Sequence, residues 1–150
     1  MMFIINQNFK EEIFMNDKLE KYLAKGKEGH KDDIIKVSAD SEDWAVRRLT
    51  TMEVRRAYEL AYEEDGTAKI MFNEIDVMIV KATEHDFDWN NVDLLKSFHC
   101  TSKFELPPRL LENPNDYSAL SQAVRNFQET KDALIKEAKN SSSKTEKQAG

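Results

Sequence analysis

The stretch Trp44–Gly66, WAVRRLTTMEVRRAYELAYEEDG, decides how the chain is read, because it carries the clearest local instructions in the sequence. Thr50 followed three residues later by Glu53 is a capping box: the threonine oxygen accepts from the Glu53 amide while the glutamate reaches back to the Thr50 amide. A helix is predicted to start there. Leu49 before the cap and Val54 after it stand at hydrophobic-staple spacing, and Val54, Ala57, Tyr58 and Ala61 recur at the spacing of a buried helical face. Arg55, Arg56, Glu59 and Glu63 take the wet side. Asp65-Gly66 ends the helix, since glycine tolerates the left-handed conformation that closes one. Upstream, Ile34–Val37 and Trp44–Val46 flank the polar segment Ser38–Asp43 as the two strands of a hairpin would.

On the C-terminal side, Ala68–Ala82, AKIMFNEIDVMIVKA, is apolar at ten of its fifteen positions. That density, with Met71, Ile75, Met78 and Ala82 at helical spacing, predicts a central, mostly buried helix. Thr83–Asn90 reads as a polar loop whose Phe87 and Trp89 pack down on the core. Val92–Phe98 reads as a short helix capped by Asn90 or Asn91. Thr101–Glu105 is a linker, and Pro107-Pro108 open a helical turn through Leu110-Leu111, proline being favoured in a first turn. Asn113-Pro114-Asn115-Asp116 caps a last helix from about Tyr117 to about Ala138, with Leu120, Val124, Phe127 and Leu134 as its stripe.

On the N-terminal side, Leu19, Tyr22 and Leu23 share one face of a charged amphipathic segment that Gly26 and Gly29 end. Residues 1–14, MMFIINQNFKEEIF, show no sustained period. Lys10-Glu11-Glu12 is encodable as AAGGAGGAA, a purine-rich ribosome-binding sequence, and Met15 follows at initiation spacing. A leader or flexible segment is therefore expected over residues 1–14. One mainly α domain of about five helices, with an N-terminal β-hairpin, is expected over residues 15–138. The tail, residues 139–150, has nothing to bury and is expected to be disordered.

A chain of 150 residues buries about two thirds of its unfolded surface around one core. No apolar run approaches the roughly 20 residues of a membrane span, and Met1–Ile5 is too short and lacks the basic flank of a secretory signal. A cytoplasmic protein is expected. Cys100, the lone cysteine, offers neither an internal disulfide nor metal-ligand spacing. A net charge of -6 and a pI near 5.2 argue against nucleic acid as the main partner, since phosphate binding draws on a concentrated basic surface.

The chain has no Gly-rich phosphate loop, no G-x-S-x-G and no nucleophile marked by its context. His85, Asp86, Asp88, His99 and Cys100 match no common zinc spacing. Capping and solvation account for the paired carboxylates Glu63-Glu64 and Asp86/Asp88. No enzyme, cofactor or metal is expected. Leu49-Thr50-Thr51-x-Glu53-Val54 looks like the opening of a helix-turn-helix unit, which makes a small helical DNA-binding regulator the alternative. The positive signal is surplus apolar surface: Met71, Phe72, Met78 and Ile79 add to the inner stripe of their predicted helix and are the candidate partner-binding residues. A central helix buried on both faces accounts for them better, since central helices usually look this way.

Three stretches between Met15 and about Lys136 together resemble the tail assembly chaperones of long-tailed phages and prophages of Gram-positive bacteria. The hairpin running into Arg48-Leu49-Thr50-Thr51-Met52-Glu53-Val54-Arg55 is similar to the family's strand, turn and helix. Asp86-Phe87-Asp88 with Asp93-Leu94-Leu95-Lys96-Ser97-Phe98 resembles its acidic loop and following helix, and Pro107-Pro108-Arg109-Leu110-Leu111 precedes a long amphipathic helix. Leu111-Glu112-Asn113-Pro114-Asn115-Asp116 departs from the family's Leu-Pro-Gly-Glu-like segment. The resemblance implies a non-enzymatic chaperone that coats the tape measure protein in the cytoplasm of the bacterial host, with the tail tube protein as a further partner, and that involves neither nucleic acid nor membrane. It also implies a form extended by ribosomal frameshifting, for which Ala138-Lys139-Asn140 is compatible with the slippery codons GCA AAA AAC. A lysine-rich helix end meeting a polar terminus explains the same residues. The alternative remains a DNA-binding regulator of a prophage.

Overall fold

Asp40 and Ser41, at φ of 55° and 59°, close a two-residue turn whose left-handed pair matches the twist of the strands it joins. The computed structural model describes residues 16–29 and 33–149, with side chains through residue 140. Strand β1 is Ile34–Ala39 and β2 is Glu42–Arg47, antiparallel, with Ile35 opposite Val46 and Val37 opposite Trp44. The strands run further into the polar segment than the sequence suggests. Ile35, Ala39, Trp44 and Val46 are buried, because alternation puts them on one face.

The chain divides into two units, Met1–Asp32 and Asp33–Gly150. The described part of the first is a helix over residues 16–28, here α1. Gly26 lies within it; Gly29, at φ 76°, follows its end and donates to the Lys25 carbonyl at 3.0 Å. Leu19, Tyr22 and Leu23 are exposed on α1. Residues 1–14, read above as a leader, lie outside the described residues.

In the second unit the helices are α2 (Thr51–Leu60), α3 (Glu74–Thr83), α4 (Val92–Ser97), α5 (Leu106–Leu110), α6 (Pro114–Arg125) and α7 (Phe127–Ala149), with a 3-10 turn at Lys103–Glu105. The described chain is thus mainly helical with a two-stranded hairpin. The capping box at Thr50 and Glu53 is present, with bonds of 3.1 Å in both directions. Helix α2 stops at Leu60, short of Gly66, and it buries Ala57 while Val54 and Tyr58 remain exposed. The close approach of α3 explains the difference, since alanine lets two helices meet at short range and larger residues are displaced to the flanks.

Helix α3 is the centre of the core. Ile75, Val77, Met78, Ile79, Val80 and Ala82 are buried on it, and it packs against α2, α6, β2 and α5. Fully burying such a side chain contributes about 1.5–3 kcal/mol, so this one helix supplies much of the hydrophobic gain. It begins later than the apolar density suggests: Asn73 caps it, accepting from the Asp76 amide at 3.2 Å while Asp76 accepts from the Asn73 amide at 3.0 Å. Residues 68–73 are therefore not helical.

Phe87 and Trp89 do pack inward, Phe87 edge-on to Trp44 at a centroid distance of 5.3 Å and Trp89 stacked on it at 5.6 Å. The Trp89 indole donates to Thr83 Oγ1 at 2.8 Å, and that hydroxyl donates to the Ile79 carbonyl at 2.6 Å. Asn91 caps α4. The last helix is broken at Asn126 (φ -111°, ψ 43°) into α6 and α7. The backbone of α7 then continues helical to Ala149, where the sequence suggests an end near Ala138 and a disordered tail. No glycine or proline interrupts residues 127–149, and Ala, Lys, Glu and Gln all favour helix.

Candidate partner-binding surface

After α2 the chain turns outward through a small, well-bonded loop. Tyr62 bridges to Ala68, the Glu63 amide donates to the Thr67 carbonyl at 2.8 Å, and the Lys69 amide donates to the Ala61 carbonyl at 2.9 Å. Gly66, at φ 87°, makes the turn, and Asp65 accepts from the Thr67 amide and hydroxyl at 3.0 and 2.7 Å. This anchored loop delivers two apolar residues to solvent: Ile70 is 98% exposed and Met71 53%. Phe72 turns in and packs on Phe104 at 5.4 Å.

Beside the loop lies a groove of about 470 Å³ whose walls include Glu63, Lys69, Ile70, Met71, Phe72, Ser102 and Glu105. A second groove, of about 350 Å³, lies between the start of α2 and the α6–α7 junction, lined by Leu49, Val54, Met78, Val124 and Phe127. The four candidate residues are therefore not one face. Met71 and Phe72 line the first groove and Met78, 9% exposed, lines the second, while Ile79 is wholly in the core. The Asn73 cap separates them, because it leaves Met71 and Phe72 on non-helical chain ahead of the helix that carries Met78 and Ile79.

Glu105 stands in the wall of the first groove and is 2% exposed. It is the third residue of a capping box opened by Ser102. Its Oε2 accepts from the Thr101 amide at 3.0 Å, the Thr101 hydroxyl at 2.8 Å and the Ser102 amide at 2.6 Å. Its Oε1 is buried and meets no donor among the described residues. Burial pushes this carboxyl up, but the bonds from Thr101 and Ser102 and the charge of Arg109 outweigh burial and hold it below its ordinary value. At neutral pH it is a buried anion with one oxygen unanswered. The Ser102-x-x-Glu105 spacing was legible as a cap, whereas the unanswered oxygen has no sequence signal.

The other shifted groups belong to the scaffold. Burial pushes the Cys100 thiol up, away from the thiolate that nucleophilic chemistry needs. Asp86 accepts from the Ala45 amide at 3.0 Å and ties the loop before α4 to β2. Among the described residues no group of three or more His, Cys, Asp or Glu is placed to hold a metal ion, and no helix is long and apolar enough to cross a membrane. The arrangement offers apolar contact beside a fixed negative charge. No family model matches the chain, and neither a curated protein nor a solved structure does.

Proposed function

We propose that this chain is a phage tail assembly chaperone that binds the tape measure protein and keeps it soluble in the bacterial cytoplasm until the tail tube forms. The observation that carries the reading is the exposure of Ile70 and Met71 on a loop held at both ends, beside an open groove. Apolar side chains fixed in solvent contribute nothing to folding and suit the docking of an amphipathic helix. The order of hairpin, capped helix and acidic loop adds the family resemblance to this surface. No catalytic step is assigned to it.

Co-expression with the tape measure protein tests the reading. The wild-type chain is expected to hold the tape measure protein in the soluble fraction, and the double variant Ile70→Asp, Met71→Asp to stay folded and lose at least about 2 kcal/mol of binding. A variant that holds its partner as well as wild type refutes the assignment of this surface. A DNA-binding regulator is less well supported, because no residue of α3 is exposed and the helix after α2 has no face to lay in a groove.

A further inference from the structure

We infer that the outer edge of β1 is a self-association site, where β1 of a second copy of this chain adds antiparallel so that the sheet runs β2-β1-β1-β2 across the pair. The inference stands apart from the helical-partner reading above. The phase of the hairpin ladder fixes which backbone groups face outward. Arg48 donates its amide to the Asp33 carbonyl at 2.9 Å, so these residues are a bonded pair, and alternation makes Ile35 with Val46, Val37 with Trp44 and Ala39 with Glu42 the next ones. The amides and carbonyls of Ile34, Lys36 and Ser38 therefore point away from β2. The other strand agrees, since Ala45, opposite Lys36, sends its amide outward to Asp86 at 3.0 Å. Among the described residues nothing answers the outward groups of Ile34, Lys36 and Ser38, and these residues are exposed.

Amides and carbonyls offered at alternate residues are complementary to another extended backbone. Asp86, Val37 and Lys36 select a second copy as that strand. Asp86 closes the middle of the β2 edge, so β1 of one copy cannot add to β2 of another and build an open chain. Pairing of β1 with β1 is the arrangement left, and it closes on a two-fold axis. Val37 is the inward residue of β1 that the core leaves half-buried, between buried Ile35 and Ala39. An axis through Val37 sets it against Val37 of the second copy at a non-bonded position, where side chains stand closest, and covers it. That register puts Lys36 opposite Ser38 of the second copy, each exchanging both backbone bonds, whereas a register centred on Lys36 sets like charges face to face. Strand pairing alone buries less than the roughly 1,200 Å² of a stable interface, so the dimer is weak and forms with concentration.

The test is sedimentation equilibrium of the full chain from about 10 μM to about 1 mM, a range that brackets weak association, with amide hydrogen exchange followed by NMR over the same range. A dimer is expected to grow with concentration, and the Lys36 and Ser38 amides to become protected in step with it. Ser38 is exposed, so its substitution leaves the hairpin's own bonds intact. Ser38→Glu places a carboxylate opposite Lys36 of the second copy and is expected to tighten the dimer about threefold or more, and Ser38→Lys to loosen it by as much. The chain carries a net charge of -6, so general repulsion alone would move the two variants in the opposite directions. A chain that stays monomeric throughout overturns the inference, as does a dimer in which the Lys36 and Ser38 amides stay unprotected. Protection that does not change with concentration means that a segment of the same chain holds the edge, and overturns it too. So does a Ser38→Glu variant that associates no more tightly than Ser38→Lys.

Discussion

The carboxylate of Glu53 joins three parts of the chain. It accepts from the Thr50 amide, closing the cap of α2, and from Arg47 Nη1 and Nη2 at 2.8 and 2.6 Å, while Arg47 Nη2 also donates to the Lys81 carbonyl of α3 at 3.0 Å. The Arg47 hydrogen bonds lower the Glu53 pKa from 4.5 to about 2, against the opposing effect of burial. The folded value lies below the unfolded one, so this stabilisation is complete above about pH 4.5 and is lost as pH falls through about 2. Allowing for partial exposure, Glu53→Gln is expected to cost about 2 kcal/mol at pH 7 and to leave a shallower acid limb in urea midpoints. Asp76 differs in sign. Burial pushes its carboxyl up, with bonds from Tyr117 and Asn73 opposing, and Tyr117 donates to Oδ1 at 2.5 Å. Tyr117→Phe leaves that oxygen without its donor, so a loss of about 1–3 kcal/mol is expected. The Asp76 pKa, read from its carboxyl shift by NMR, should rise further in that variant.

At the scale of elements, the hairpin turn is built from residues that only tolerate its geometry. Ser41 sits at φ 59°, where glycine is favoured at the second position of such a turn. Ser41→Gly is therefore expected to raise the urea midpoint by an amount worth about 0.5 kcal/mol. The hairpin, the Thr50 cap and the inward aromatic pair were legible because each is specified within a few residues. The start of α3 was not. Asn73-Glu74-Ile75-Asp76 is itself a capping pattern, but it lies inside an apolar run whose density reads as uninterrupted helix. The break at Asn126 and the exposure of Val54 and Tyr58 were hidden for another reason: both depend on which helix lies alongside, and spacing along one helix carries no record of its neighbour. The candidate surface was half legible. Met71 was named, but Ile70 and Glu105 were not, since exposure and an unanswered oxygen arise only from the tertiary arrangement.

Across the second unit, three helical starts are closed by a carboxylate at the third position: Glu53, Asp76 and Glu105. Two of these carboxylates also bind a distant element, and the third leaves one oxygen buried beside the groove. The same device thus serves local helix initiation and tertiary attachment. It also has a bearing on the order of events in time. Glu53 and Arg47 are 6 residues apart and Asp76 and Tyr117 are 41 apart, so the first pair closes a short loop at little entropic cost and the second waits for α6 to arrive. Stopped-flow measurements should accordingly find Glu53→Gln slowing refolding, whereas Tyr117→Phe should leave refolding nearly unchanged and hasten unfolding, because its bond forms only after the barrier has been crossed.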